Sequence, residues 1–171
     1  MQFFPKKLSQ IYLVLFVSAF LTITGNFTFF QKAILIYPLF ENWLFLGSLF
    51  FFLFTFLAAL LLLFCYRVTT KPILIALLMI SAIVSYSTNN YGIVFDHNMI
   101  TNTFETDTSE FSDLVSIKSI IYFCLLGLIP SIYVWKIQLI KASIKSQLWQ
   151  RAKMLLLLIV VFVIVVLSFS K

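Results

Sequence analysis

The sequence predicts an all-α integral membrane protein with five transmembrane helices and an amphipathic extracytoplasmic helical segment between the third and the fourth. Three observations carry this expectation. Of 171 residues, 62% are hydrophobic and 11% charged, with a mean hydropathy of +1.07. A soluble core of this size needs a polar shell that such a composition does not supply, so the bilayer has to act as solvent. Five apolar runs of spanning or near-spanning length follow one another, with 4 Gly and 4 Pro as sparse punctuation. The charges, finally, are sorted between the intervals rather than scattered.

The first run, 8–30, follows a short basic start ending in Pro5, Lys6 and Lys7. Its apolar part exceeds the hydrophobic region of a signal peptide and no small-residue cleavage site follows, so it reads as an uncleaved first helix. Ser18, Thr22 and Asn26 recur along it at four-residue spacing with Gly25 alongside. That pattern fits a small, polar helix-packing seam better than a headgroup-lined path. Gln31–Trp43 reads as a mixed connector, with Tyr37 and Trp43 suited to the water–membrane boundary. The second run, 44–66, is rich in Phe and Leu, and Arg67–Pro72 is a tight turn that places Pro72 in the first turn of the next helix. The third, 73–88, is short and is closed by the turn residues Asn89–Gly92. After a polar segment, 89–116, Ser116 can cap a fourth helix over 117–135, with a kink at Pro130. Lys136–Lys153 is a basic connector, and 154–170 is a fifth, β-branched-rich run that leaves Lys171 just beyond the membrane. All five runs and the polar segment form one domain, 1–171, without internal repeats.

With five spans the intervals alternate sides. Nine of the twelve basic residues (Lys6, Lys7, Arg67, Lys71, Lys136, Lys141, Lys145, Arg151 and Lys153) then share one side, and Lys32, Lys118 and Lys171 take the other. All six acids lie on that second side. The positive-inside rule puts the N-terminus in the cytoplasm and the polar segment and the C-terminus outside. The net charge of +6 points to anionic lipid headgroups rather than nucleic acid, because the basic residues sit between apolar runs. Cys65 and Cys124 lie inside apolar runs and read as buried free thiols, not as a disulfide or a metal site. No Asp or Glu lies within the expected spans, which leaves a proton or ion relay without a carboxylate.

The stretch that sets this chain apart is Tyr91–Asp113, which holds five of the six acids. Wound as a helix at about 100° per residue, Ile100, Phe104, Phe111 and Val115 fall within roughly 60° of one another. Asn102, Thr106, Glu110 and Asp113 gather within about 80° on the opposite side. Such a face beside a bilayer can receive a zwitterionic headgroup: Glu110 pairs with an ammonium group, and Asn102 and Thr106 hydrogen-bond phosphate or glycerol oxygens. Asn102 and Glu110 would stand about 12 Å apart along the axis, comparable to a headgroup with its glycerol. A solvated face of an interfacial helix produces the same pattern. Asp107-Thr-Ser-Glu110 also looks like a capping box, which would start a new helix at Thr108 and skew the face. His97, the one histidine, reads as a polar loop residue beside Asp96 rather than a general base.

These residues carry a resemblance. Tyr91-Gly-x-Val-x-Asp96, followed by Met99-Ile100-x-Asn102-x-x-x-Thr106-Asp107-x-x-Glu110-x-x-Asp113-Leu114, resembles the membrane domain of the lipid A phosphoethanolamine transferases. Leu126-Gly127-x-x-Pro130-Ser131 is similar to that family as well. The resemblance implies a five-helix domain of the bacterial inner membrane. In such a protein phosphoethanolamine passes from phosphatidylethanolamine to lipid A, which lowers lipopolysaccharide charge and confers polymyxin resistance. It implies that Asn102, Thr106 and Glu110 belong to the donor-headgroup pocket. Core sugars are the acceptor in related transferases, and the sequence does not choose between the two. The chemistry of the family resides in a periplasmic alkaline-phosphatase/sulfatase-like domain with zinc and a threonine nucleophile. With one His and no His/Asp/Glu cluster, this chain has no catalytic or metal residues of its own and is expected to be inactive alone, as a dissected domain or a truncated product. The competing expectations are a small non-enzymatic lipid-binding or transport protein and an inert remnant.

Overall fold

The structure, a computed structural model, describes residues 7–66, 68–91, 116–140 and 143–168. It is an all-α membrane domain. Among the described residues, four helices are long and apolar enough to cross a bilayer, and a fifth span results if one bent pair is counted as a unit.

The bent pair is α1 (Gln10–Gly25) and α2 (Phe27–Ile36), which meet at 58°. One straight helix over 8–30 is therefore not what forms, and much of the expected connector, Gln31–Ile36, is helical. The cause is local. Ser18, Thr22 and Thr24 each turn their hydroxyl back to the carbonyl four residues earlier, at 2.8 Å in every case. Such back-bonds compete with the backbone ladder and bend helices. At Asn26 the ladder gives way (φ −115°, ψ 21°), and its side-chain amide donates to the Thr22 carbonyl at 3.3 Å.

α3 (Leu39–Phe64) starts directly after Pro38, five residues earlier than expected, and is broken at Asn42 (φ −124°, ψ 26°). Its 26 residues reach about 39 Å, more than the roughly 30 Å of a bilayer core. α4 (Thr70–Tyr91) keeps Pro72 in its first turn, where the missing N–H costs nothing. It also runs on through Asn89 and Asn90, which were expected to form a turn; Asn90 Nδ2 donates to the Tyr86 carbonyl at 3.0 Å inside the helix. α5 (Ile117–Tyr122) begins with a capping box in which Ser116 Oγ accepts from Ser119 N and Ser119 Oγ from Ser116 N.

The irregularity expected at Pro130 takes the form of a π-helical turn, Phe123–Leu128, just before α6 (Ile129–Lys136). The Ile129 N–H reaches back to the Cys124 carbonyl, one residue further than in an α-helix. A proline ring crowds the carbonyl four residues before it, and a wider turn gives it room. α7 (Ile144–Ser168) begins ten residues before the expected fifth span, so Lys145, Arg151 and Lys153 are helical rather than part of a connector.

The buried core gathers Leu13, Val14 and Val17 of α1, Leu61 and Leu62 of α3, Leu74 and Leu78 of α4, Val134 and Leu158. Elsewhere large apolar side chains face outward, Phe40 at 96% exposure among them, as a lipid solvent requires. α7 is inside-out in this sense, with Gln147 and Arg151 buried while Leu156, Leu157 and Ile159 face out.

One end of the bundle joins three separate segments. Lys7–Leu8 (β1) pairs in parallel with Gln138–Leu139 (β2), Lys7 opposite Gln138, and Ile140 N donates to the Leu8 carbonyl at 3.1 Å. Two-residue strands have no alternation for sequence reading to detect, which is why an all-α reading missed them. Lys71 Nζ donates to the Trp135 carbonyl at 2.7 Å. Gln10 Nε2 reaches Thr70 Oγ1 and the Cys65 carbonyl. The start of the chain, the turn between α3 and α4 and the link between α6 and α7 thus share one end, which carries Lys7, Lys71, Lys136 and Lys145. That clustering is what alternation of five spans requires of them.

Candidate functional site

The other end of the bundle carries Lys32 of α2, Glu41 of α3 and Lys118 of α5 around a set of neutral hydroxyls and carboxamides. α1 and α4 approach each other closely there: a Cβ on Gly25 would stand 3.0 Å from Ser81 Oγ. Ser18 and Thr22 are fully buried and satisfied by their own helix, so they pack rather than line a path. Beyond them the contacts pass from helix to helix. Ser85 Oγ donates to the Thr24 carbonyl at 3.2 Å. Thr28 Oγ1 bonds Asn89 Oδ1, tying α2 to α4 across the bend.

The last contact is the most informative for position. The Tyr86 hydroxyl lies 2.8 Å from Ser116 Oγ, the same oxygen that caps α5. The Tyr86 and Tyr122 rings meet edge-on, 5.7 Å apart. Tyr91 and Ser116 bracket the stretch 92–115, and the helices that carry them are joined at this end, opposite Lys7, Lys71, Lys136 and Lys145. Asn102, Thr106 and Glu110, with the whole amphipathic segment of 96–115, lie outside the described residues.

The described rim therefore offers hydroxyls and carboxamides: neutral groups that give and take hydrogen bonds. These groups suit phosphate and glycerol oxygens; an ammonium group needs a carboxylate, and Glu41 in the first turn of α3 is the one described at this end. Among the described residues no group of three or more His, Cys, Asp or Glu stands close enough to hold a metal ion, so zinc has no ligand set on them.

Sequence reading missed Ser85 and Asn89. Their signal was present, because Ser81, Ser85 and Asn89 repeat at four-residue spacing as Ser18, Thr22 and Asn26 do. The turn character of Asn-Asn-Tyr-Gly hid it.

Residues 53–171 match a family model described as phosphoethanolamine transferase EptA/EptB. Over 132 residues the chain is 39% identical to the phosphatidylethanolamine transferase Mcr-1 of Escherichia coli, which covers 77% of this chain and 24% of that protein. Over 118 residues it is 37% identical to Mcr-2 of Escherichia coli, covering 69% of this chain and 22% of that protein. The chain spans about a quarter of the length of these curated relatives. Its fold is shared by the integral membrane lipooligosaccharide phosphoethanolamine transferase A (EptA) of Neisseria meningitidis, with a TM-score of 0.83 at 22% identity over 95% of this chain and 30% of that one.

Proposed function

The chain belongs to the phosphoethanolamine transferase EptA/EptB family, as a membrane domain of such a transferase, and from that premise we propose that it forms the donor-lipid side of the enzyme. In this reading five spans hold the domain in the bacterial inner membrane, with the N-terminus cytoplasmic and the C-terminus periplasmic. The amphipathic segment between α4 and α5 then faces the periplasm. Glu110 pairs with the ammonium of phosphatidylethanolamine, and Asn102 and Thr106 bind its phosphate and glycerol oxygens. Lipid A is the acceptor. The transfer itself falls to a periplasmic catalytic domain with a zinc site and a threonine nucleophile, and this chain's part is to anchor that domain and present the donor.

The observation that carries the reading is the Tyr86–Ser116 contact, 2.8 Å long. It joins the two helices from which the interval with five of the six acids departs, at the end away from Lys7, Lys71, Lys136 and Lys145. The neutral rim of Thr28, Asn89, Tyr86 and Ser116 supplies hydrogen-bonding partners for phosphate and glycerol, and Glu110 supplies the charge that the rim lacks.

The test is Glu110→Ala in the full-length transferase. Loss of a charge-assisted hydrogen bond is worth about 1.5–3 kcal/mol, so the yield of modified lipid A should fall roughly ten- to a hundredfold while membrane insertion is unchanged. Wild-type lipid A modification by mass spectrometry would remove Glu110 from the pocket. Labelling single cysteines at 110 and 145 with a membrane-impermeant maleimide tests the orientation, and reaction of both from the same side would refute it.

A further inference from the structure

The end of the bundle opposite the Tyr86–Ser116 contact holds a buried cation that no carboxylate among the described residues neutralises. Arg151 stands two turns into α7 and is only 7% exposed. Its Nη2 donates to the Cys65 carbonyl, which also accepts from Gln10 Nε2 at 3.1 Å. The guanidinium lies over the Tyr66 ring, 4.9 Å from its centroid. These contacts explain part of its burial. The Cys65 carbonyl follows the last turn of α3, where helix carbonyls lack intrahelical donors. That terminus carries a partial charge of about −0.5, and the aromatic face adds attraction.

A full counter-charge is missing. No carboxylate pairs with Arg151 among the described residues, of which Glu41 is the one acid, and Glu41 begins α3 at its far end. The chain itself has no Asp or Glu from Met1 to Phe40, from Asn42 to Phe95 or from Leu114 to Lys171. The remaining acids belong to the interval that leaves from the other end. Nearby charges are of like sign, Lys7, Lys71 and Lys145 among them. Burying an unpaired charge is costly, so an anion from outside the chain is the missing part.

A place for it exists. Beside Arg151 opens a cavity of about 150 Å³, lined by Ser9, Gln10, Gln147, Gln150 and Arg151 and by two isoleucines. That is an order of magnitude more than the roughly 10–15 Å³ needed to hold one water. A hydroxyl, three carboxamides and a planar guanidinium fork are the donor set that a phosphate oxyanion takes. The outer faces of this turn of α7, Leu148 and Trp149, are exposed and apolar, so lipid is the neighbour that brings phosphate to the mouth of the cavity.

We propose that the Ser9–Gln10–Gln150–Arg151 cavity binds a phosphate oxyanion, supplied by the headgroup of an anionic phospholipid, as a structural site distinct from the donor pocket. It does not depend on the role of Glu110 or on the acceptor. An occupied site locks the start of the chain, the α3–α4 turn and α7 together.

The test is thermal unfolding of the full chain in neutral detergent, with phosphatidylglycerol micelles in one arm and inorganic phosphate in the other. At a hundredfold excess over the dissociation constant, phosphatidylglycerol should raise the midpoint by about 5 °C or more. Arg151→Gln should abolish the rise. Ser9→Asp keeps a good N-cap residue while placing a carboxylate on the cavity wall; its midpoint should start higher and no longer respond, which keeps the test open if Arg151→Gln fails to fold. Lys145→Gln, outside the cavity, should respond as wild type. A rise with inorganic phosphate as well would assign the site to phosphate in either form. No rise in either arm, a full response in Ser9→Asp, or a loss in Lys145→Gln as large as in Arg151→Gln would overturn the proposal.

Discussion

Ser116 is the residue whose removal tests most directly how the two helices flanking the polar interval are held. Its hydroxyl has two roles: it accepts from Ser119 N at 3.2 Å, capping α5, and it meets the Tyr86 hydroxyl at 2.8 Å. Loss of an N-cap costs about 1 kcal/mol, and an interhelical hydrogen bond within a membrane bundle averages about 0.6 kcal/mol. Ser116→Ala should therefore destabilise the domain by roughly 1.5 kcal/mol, a fall of about 3–6 °C for a chain of this length. Tyr86→Phe removes only the second contribution and should cost about 0.6 kcal/mol. Ser116→Thr keeps the hydroxyl and the cap and should stay close to wild type. Unfolding in mixed micelles of the two single variants and the double variant gives the coupling between Tyr86 and Ser116, expected at about 0.6 kcal/mol. In a full-length transferase, phosphoethanolamine transfer should fall most in Ser116→Ala, less in Tyr86→Phe and least in Ser116→Thr. A coupling of zero, with Ser116→Ala no worse than Tyr86→Phe, would refute both the cap and the bridge.

Two further outcomes test the packing. A Cβ at Gly127 would stand 3.2 Å from Ala82 Cβ and 3.4 Å from Met79 Sδ, so Gly127→Leu should overpack the π-helical turn against α4 and cost roughly 1–3 kcal/mol in unfolding; an unchanged midpoint would mean the two do not approach so closely. Asn89→Leu removes the bond to Thr28, and backbone amides of residues 27–36 should then exchange hydrogen faster than those of 10–25, whereas equal rates would show that α2 is held by other means.

Much of the site's surroundings was legible in sequence, and the gaps have physical causes. Ser116 as a cap, Pro72 in a first turn and Pro130 as a source of irregularity were readable because each acts through its own backbone within one turn. The bend at Asn26 was not, since Ser18, Thr22 and Asn26 spell the same four-residue pattern in a straight helix and in one bent by back-bonded hydroxyls. The start of α7 was missed because Lys145, Arg151 and Lys153 look like a loop to any reading that expects membrane helices to be apolar. What makes them helical is a partner: the Cys65 carbonyl and the Tyr66 ring receive Arg151.

Composition and charge order alone determined that this protein lives in a membrane and that nine of its twelve basic residues fall in other intervals than its six carboxylates. They reflect one-dimensional quantities, transfer free energy and the sign of each interval, that every residue carries wherever it sits. Only the tertiary structure decided that Lys7 pairs beside Gln138, that Tyr86 reaches Ser116, and that a guanidinium is buried with no carboxylate to meet it among the described residues. Those contacts join residues at least 30 apart, and distance in space between such residues is written in no local pattern.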